Sequence, residues 1–156
     1  MMKYYIDFDG VILDTLTIYS NIFHDNKYDK WESIYNHFEF DNIFSKDNEI
    51  NDSINKLKAL QNKYNLILLS KVVNEDEAKA KKRFLLKNNI NIETIFVPYH
   101  DKKTDYVNVD INTILIDDQT DNIDEWIKLG GKGILFNKEL IDGYTCTYDL
   151  DIIKDI

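Results

Sequence analysis

Two aspartates near the start of the chain have the spacing of a site that binds a cation. Asp7 and Asp9 follow the apolar run Tyr4–Ile6 and precede Gly10. Because residues two apart point the same way in an extended backbone, both carboxylates lie on one side of the chain. Two adjacent carboxylates repel each other unless a positive charge lies between them. The pattern therefore predicts a divalent cation at the end of a first strand, although an Asp-Gly pair alone is also common in turns.

A second acidic pair and a hydroxyl residue also follow apolar runs. Asp117 and Asp118 end the run 113–116, and Ser70 ends the run 66–69. The carboxyl ends of parallel strands meet at one edge of a sheet, so we expect these groups to converge with the first acidic pair. A hydroxyl can donate to a phosphate oxygen. Taken alone, Ser70 is better explained as an ordinary loop hydroxyl than as a phosphate ligand.

Lysines occur in two places that bear on this site. Lys102 and Lys103 lie in the loop after the predicted strand 94–97, where a lysine can reach a bound phosphate. A cation held by oxygen ligands beside a lysine suits phosphoryl transfer. The basic run 79–83 lies in a predicted helix, and because the chain is acidic overall we interpret it as a solvated helix face.

Apolar patterning alternates between strands and helices along most of the chain. This alternation predicts an α/β fold, a three-layer Rossmann-like parallel sheet with helices on both faces. The tail, residues 139–156, has weak signals and is expected to pack on the sheet edge as a short helix or strand. The predicted strands are 4–6, 66–69, 94–97, 113–116 and 133–136, and the predicted helices are 51–64, 74–88 and 123–129.

The segment after the first strand differs from the rest in its aromatic content. Residues 15–50 include short runs with apolar residues at helical spacing, and they interrupt the strand–helix alternation. We predict a small helical cap at 15–50, inserted into a core formed by residues 1–14 and 51–156. Its aromatic residues are Tyr19, Phe23, Tyr28, Trp31, Tyr35, Phe38, Phe40 and Phe44.

Composition limits the classes of function. A net charge of −9 over 156 residues argues against binding a nucleic acid polymer. The apolar runs are too short to cross a membrane, and the N-terminal sequence lacks a signal-peptide pattern. Cys146 is the single cysteine, which fits a reducing cytoplasm. We expect a cytoplasmic monomer or homodimer that binds a small phosphorylated substrate.

The motifs, taken in order, resemble those of the haloacid dehalogenase-like (HAD) phosphatase superfamily. Asp7–Phe8–Asp9 matches its first motif, Leu68–Leu69–Ser70 its second, and Ile116–Asp117–Asp118 its fourth. The third, a lysine, is matched by Lys103 in preference to Lys102. The stretches DFDGVILDT and ILIDDQTDN resemble the 5′-nucleotidase branch, which includes the 5′(3′)-deoxyribonucleotidases.

The resemblance implies a role for each residue and a Mg²⁺ cofactor. Asp7 would be the nucleophile that forms an aspartyl-phosphate, and Asp9 the acid that protonates the leaving oxygen and then activates water. Ser70 and Lys103 would bind the transferred phosphoryl group. Mg²⁺ would be held by the Asp7 carboxylate, the Asp9 carbonyl and the Asp118 carboxylate, with Asp117 in the coordination shell or next to it.

Three alternatives stay open at the level of sequence. The same residues would serve a phosphatase or a phosphomutase acting on sugar phosphates or other small metabolites. A receiver-like phospho-acceptor domain also combines clustered aspartates, a hydroxyl residue and a lysine on a parallel sheet. In a receiver domain, however, the lysine follows the acidic groups, whereas Lys103 precedes Asp117 and Asp118.

Overall fold

The computed structural model describes residues 1–25 and 38–156, and its centre is a six-stranded parallel sheet. The strand order is β3-β2-β1-β4-β5-β6, so β1 lies between β2 and β4. Every neighbouring pair is parallel, as the sequence predicts. The strands are β1 (Lys3–Ile6), β2 (Asn65–Val72), β3 (Glu93–Pro98), β4 (Thr113–Asp117), β5 (Lys132–Phe136) and β6 (Cys146–Thr147).

Helices connect the strands and cover the sheet. The helix after β2 is capped at its N-terminus, because the Asn74 side chain accepts a hydrogen bond of 2.9 Å from the Glu77 backbone N–H. None of the helices in the described ranges is long and apolar enough to cross a membrane. The α-helices are α1 (Thr15–Asp25), α2 (Phe40–Ile43), α3 (Ser53–Leu60), α4 (Glu75–Lys87) and α5 (Thr120–Lys128). Short 3-10 helices span Lys46–Asn48, Lys103–Asp105 and Leu150–Lys154.

The two faces of the sheet bury separate apolar cores. Because successive strand residues point to opposite faces, the uninterrupted apolar runs of β2 and β4 supply both cores at once. On one face Ile6, Leu68 and Ile116 pack with residues of α3 and α4. On the other face Tyr5 packs against Trp126 of α5 with 5.0 Å between ring centroids. The polar residues of the predicted site lie at or near the carboxyl ends of these strands.

The end of strand β2 differs from the sequence prediction in a way that affects the site. Strand β2 runs on to Val72, because Ser70 pairs with Phe96 of β3 and Val72 with Pro98. Ser70 therefore lies inside a strand and not in the loop after it. The tail forms the short strand β6 at the sheet edge, as one of the two expectations had it, and then a 3-10 helix whose Leu150 and Ile153 are buried in the apolar core.

The segment between β1 and α3 packs partly on the main core. Phe40 and Phe44 are buried in the same apolar cluster as Phe8, and the rings of Phe8 and Phe44 lie 5.1 Å apart. The division into a core of 1–14 and 51–156 and a cap of 15–50 stays a prediction. The predicted cap residues Tyr28, Trp31 and Tyr35 lie outside the described residues.

Candidate active site

The segment after β1 places two carboxylates on one side and an aromatic ring on the other. Asp7 and Asp9 line a cavity of about 750 Å³ at the carboxyl edge of the sheet. Phe8, between them, is fully buried and packs edge-on against Phe44 and Phe84. The alternation of side chains in an extended backbone explains this arrangement. The buried ring anchors the segment while its two neighbours face the cavity.

Gly10 is required at its position by both its backbone and its surroundings. Its φ of +77° is a conformation that residues with a side chain rarely adopt. A Cβ at this position would overlap the Asp118 carboxylate. The glycine thus lets the second acidic pair approach the first.

The loop after β3 turns one lysine inward and its neighbour outward. Lys103 is buried, and its Nζ lies 2.9 Å from Asp7 Oδ1 and 2.6 Å from Asp117 Oδ2. Lys102 is exposed and pairs with Glu125 on the surface. Burial by itself lowers the pKa of Lys103, but Asp117 and Asp7 outweigh burial and raise it, so the ammonium stays charged. The structure therefore brings Lys103, and not Lys102, to the nucleophile proposed from sequence.

Asp117 and Asp118 are adjacent but have different surroundings. The Asp117 carboxylate is fully buried and accepts hydrogen bonds from the Gln119 backbone N–H at 2.9 Å and from the Asn122 side chain at 3.1 Å. Asp118 lines the cavity. Asp117 is therefore oriented toward Lys103, whereas Asp118 is accessible to a ligand.

Three of these carboxylates fit a divalent cation. One oxygen each from Asp7, Asp117 and Asp118 lie within 4.8 Å of one another. Burial raises the pKa of Asp7 to about 6, with Lys103 opposing this rise and Asp117 adding to it. Burial, followed by the charges of Asp7 and Asp117, raises the pKa of Asp118 to about 8. Crowded oxygen ligands that resist ionisation are a suitable set for a hard cation such as Mg²⁺.

A second buried lysine, Lys81 of α4, lies on the other side of Asp9. Its Nζ donates to Asp9 Oδ2 at 2.6 Å, to Ser70 Oγ at 3.0 Å and to the Lys71 carbonyl at 3.1 Å. Glu77 Oε1 lies 3.4 Å away. Although burial lowers the pKa of Lys81, Asp9 and Glu77 outweigh burial and raise it. The interpretation of the whole run 79–83 as a solvated face is therefore wrong at Lys81.

The burial of Lys81 could have been predicted from its position on the helix. The buried residues of α4 recur at intervals of three and one, which is the spacing of a single helix face. Lys81 occupies this face beside Ala80 and Phe84, so its charge had to find buried partners. Its neighbours Lys82 and Arg83 are exposed. Considering only the charge of the run does not distinguish the buried Lys81 from these two exposed residues.

Asp9 and Ser70 are both held from the protein side. Thr15 Oγ1 donates to Asp9 Oδ1 at 2.5 Å, while Lys81 holds the other oxygen. The Ser70 side chain is fully buried, and its hydroxyl contacts Lys81 behind the cavity wall. Of the sequence-predicted site residues, Asp7, Asp9, Lys103 and Asp118 line the cavity. Ser70 and Asp117 lie directly behind them.

The rest of the cavity wall mixes aromatic and polar side chains. Tyr99 and His100, which follow β3, have ring centroids 5.3 Å apart and form one side. Helix α1 contributes further lining residues. This surface is large enough for a substituent of moderate size next to the carboxylates. The lining residues away from the carboxylates include Leu16, Tyr19, Ser20, Lys71, Val73, Gln119, Asp121 and Asn122.

Comparison with solved structures finds HAD-superfamily hydrolases of the same fold. A proposed β-phosphoglucomutase from Thermotoga maritima matches with a TM-score of 0.70 and 15% identity, over 100% of both chains. A proposed HAD hydrolase from Bacillus subtilis with bound magnesium matches with a TM-score of 0.64 and 11% identity, over 99% of this chain and 97% of that one. A haloacid dehalogenase-like hydrolase from Streptococcus pneumoniae has a TM-score of 0.64 and 12% identity, over 99% and 98%.

The sequence comparisons give a different result. No protein-family model matches the chain, and no curated protein matches it in sequence. At identities of 11% to 15% the structural likeness concerns the fold. The chain therefore has the Rossmann-like α/β fold of the HAD hydrolases, and its chemistry has to be inferred from its own residues.

Proposed function

We propose that the protein is a Mg²⁺-dependent hydrolase of small phosphate monoesters that works through an aspartyl-phosphate on Asp7. The observation that carries this proposal is the joint presence of Asp7, Asp9, Asp118 and Lys103 on the wall of one cavity. A nucleophilic carboxylate, a second carboxylate for proton transfer and a charged lysine are the groups that phosphoryl transfer needs.

In the first half of the reaction, an Asp7 carboxylate oxygen attacks the phosphorus atom. The bond from phosphorus to the ester oxygen breaks, and the leaving oxygen takes the proton of the Asp9 carboxyl group. Lys103, within 2.9 Å of Asp7 Oδ1, places positive charge next to the oxygens of the phosphoryl group. When bound at Asp7 and Asp118, Mg²⁺ supplies further positive charge that offsets the repulsion between nucleophile and phosphate.

In the second half, Asp9 acts as a base. A water molecule attacks the phosphorus atom of the aspartyl-phosphate and gives its proton to the Asp9 carboxylate. The bond from phosphorus to the Asp7 oxygen breaks, which releases inorganic phosphate and regenerates both carboxyl groups. Asp117 and Ser70 do not line the cavity but lie next to residues that do. In this scheme Asp117 orients Lys103, and Ser70 contacts Lys81, which in turn holds Asp9.

The proposed substrate is a nucleoside monophosphate or a similar small ester. The support is the sequence resemblance to the 5′-nucleotidase branch together with Tyr99 and His100 on the cavity wall, because aromatic rings stack on bases. A sugar phosphate, hydrolysed or isomerised, is the second candidate. The observation in its favour is the likeness to a proposed β-phosphoglucomutase at a TM-score of 0.70.

A substrate screen tests both candidates. The purified protein is incubated with ribo- and deoxyribonucleoside monophosphates, hexose phosphates and small phosphorylated acids, with and without Mg²⁺, and released phosphate is measured. Preference for nucleoside monophosphates supports the first candidate, and preference for hexose phosphates or their interconversion supports the second. Absence of Mg²⁺-dependent phosphate release from every ester contradicts the proposed function, provided that the protein shows cooperative thermal unfolding.

A further inference from the structure

Lys81 is enclosed behind the cavity and has no donor left for a substrate. Its side chain has no exposed surface and does not line the cavity. A lysine ammonium carries three N–H groups and no acceptor. Asp9, Ser70 and the Lys71 carbonyl provide three acceptors within 3.1 Å. Any effect of Lys81 on the reaction must therefore pass through one of the groups it holds.

The surroundings of Lys81 restrict its movement. The ammonium lies 5.1 Å from the centroid of the Phe8 ring and 5.9 Å from that of Phe44. Glu77 contacts it from the preceding turn of α4, and Glu77 is itself fixed because its other oxygen accepts from the Val73 N–H at 2.7 Å. A charged group in such an apolar enclosure, with its hydrogen bonds satisfied, makes a rigid network.

Of the residues that hold Lys81, Asp9, Lys71 and Glu77 line the cavity, and Asp9 is the one whose carboxyl group takes part in the proposed reaction. Lys81 holds Asp9 Oδ2 and Thr15 holds Asp9 Oδ1, so within residues 1–25 and 38–156 each oxygen has a partner on the protein side. A carboxylate oxygen can accept a second bond, so these two contacts do not use up the capacity of Asp9, which lines the cavity, to bind a ligand. Two anchors, one on each oxygen, fix the plane of the carboxyl group relative to a bound ester.

We propose that Lys81, supported by Glu77, is a positioning residue that fixes the Asp9 carboxyl group for proton transfer to and from the substrate. This inference rests on the proposed phosphatase function. Misplacement of a reacting group by about 1 Å can cost about 100-fold in rate. Loss of the anchor should therefore reduce those steps that depend on Asp9 more than those that do not.

The experiment compares two esters that differ in their need for a proton on the leaving oxygen. An aryl ester such as p-nitrophenyl phosphate releases a stable anion, whereas the best alkyl ester from the substrate screen needs protonation by Asp9. For Lys81→Met we expect a loss of about 100-fold in kcat/KM on the alkyl ester and about tenfold or less on the aryl ester. The exposed residue Lys82 on the same helix provides a matched control, since Lys82→Met should leave both rates unchanged.

A double-mutant comparison separates positioning from general damage. If Lys81 acts through Asp9, Lys81→Met should add little to the loss that Asp9→Asn alone produces on the alkyl ester. Because Lys81→Met leaves Asp9 and Glu77 without a cation, its folding is checked by thermal unfolding. The variant Glu77→Gln/Lys81→Met removes one of the two unpaired charges and serves where the single variant unfolds.

Three results would overturn the inference. They are equal losses on the two esters, losses that multiply fully with Asp9→Asn, and an unchanged rate in a folded Lys81 variant. Each of these results is obtained with a wild-type protein that hydrolyses phosphate esters, so each contradicts the role of Lys81 and leaves the proposed function intact. If the wild-type protein hydrolyses no ester, the proposed function itself is contradicted, and the proposed role of Lys81 in that reaction is contradicted as well.

Discussion

The two buried lysines of the site make similar contacts from different positions. Lys103 pairs with Asp7 and Asp117 at 2.9 and 2.6 Å, and it lines the cavity. Lys81 pairs with Asp9 at 2.6 Å and does not line the cavity. One lysine can touch a substrate, while the other can only act on the carboxylate in front of it. Burial and charge alone therefore do not define a lysine's role, which depends on what remains accessible.

The largest loss of activity should come from substituting Asp7, the carboxylate that pairs with Lys103. Asp7→Asn removes the proposed nucleophile while keeping the shape of the side chain, so we expect kcat to fall by at least about 10⁴-fold. Thermal unfolding and binding of the unreacted ester should change little. Asp14→Asn, an exposed aspartate in the same segment, is the control. Near-normal turnover by Asp7→Asn would show that the nucleophile is another group.

The next effect distinguishes the two lysines of the β3 loop. Lys103→Met removes a charge next to the phosphoryl group, and we expect kcat/KM to fall about 100-fold, with weaker inhibition by inorganic phosphate. Lys102→Met removes only a surface ion pair with Glu125, so its rate should stay within about twofold of the wild type. Steady-state kinetics on one ester compares both variants. Equal losses would mean that the loop matters as a whole and not through Lys103.

A smaller effect concerns Asp118 and pH. The metal-free folded protein holds a proton on Asp118 up to about pH 8, whereas the unfolded chain releases it near the ordinary value of 3.8. The folded state thus binds more protons between these values, and the free energy of unfolding should decrease as pH rises through this window. Asp118→Asn should weaken that decrease in thermal unfolding without Mg²⁺.

Magnesium should reverse the trend, because the cation needs ionised carboxylates. We expect the stabilisation of the wild-type protein by Mg²⁺ to increase from about pH 6 to about pH 8, the pKa values of Asp7 and Asp118. The increase should be largely absent in Asp118→Asn. A stabilisation by Mg²⁺ that does not depend on pH, or that survives this substitution, would place the cation elsewhere.

The smallest expected effect on activity concerns the N-terminus of α4, the helix that carries Lys81. Asn74→Ala removes the cap at the start of this helix, which should cost about 1 kcal/mol and lower the melting temperature by a few degrees. Because Lys81 is anchored by contacts of its own, kcat/KM should stay within about twofold. A large loss of rate on the alkyl ester with only a small loss of stability would show that the start of α4 takes part in positioning.

The sheet was predictable because its apolar runs leave few other arrangements. Buried strands that alternate with helices define a parallel sheet, and the carboxyl ends of β1 and β4 then lie at the same edge of that sheet. That placed Asp7 and Asp118 on one edge before any distance was known. The central position of β1 was not predicted, since strand order depends on helix packing across the sheet. The 5′-nucleotidase resemblance likewise stays a prediction, because the comparisons extend only to the fold.

The contacts of the long side chains were not predictable in the same way. Lys81 reaches Asp9 across 72 positions of sequence, and helical spacing places Lys81 on the buried face without identifying this partner. Ser70 appeared to follow its strand because the apolar run ends there, but backbone pairing with Phe96 extends β2 past it. At Ser70 a tertiary contact overrides the local pattern, and at Lys81 a tertiary contact supplies the partner that the local pattern leaves open.

The buried ring between the two aspartates makes the site sensitive to a kind of change that substitutions do not test. Deleting or inserting one residue between Tyr4 and Phe8 would reverse which side of the chain each following side chain faces. Phe8 would then point toward solvent and both aspartates toward the apolar interior. Sequence drift in this segment should thus be confined to exchanges that preserve its length. Laboratory libraries that vary the length of the chain here should yield insoluble protein far more often than weakened enzymes.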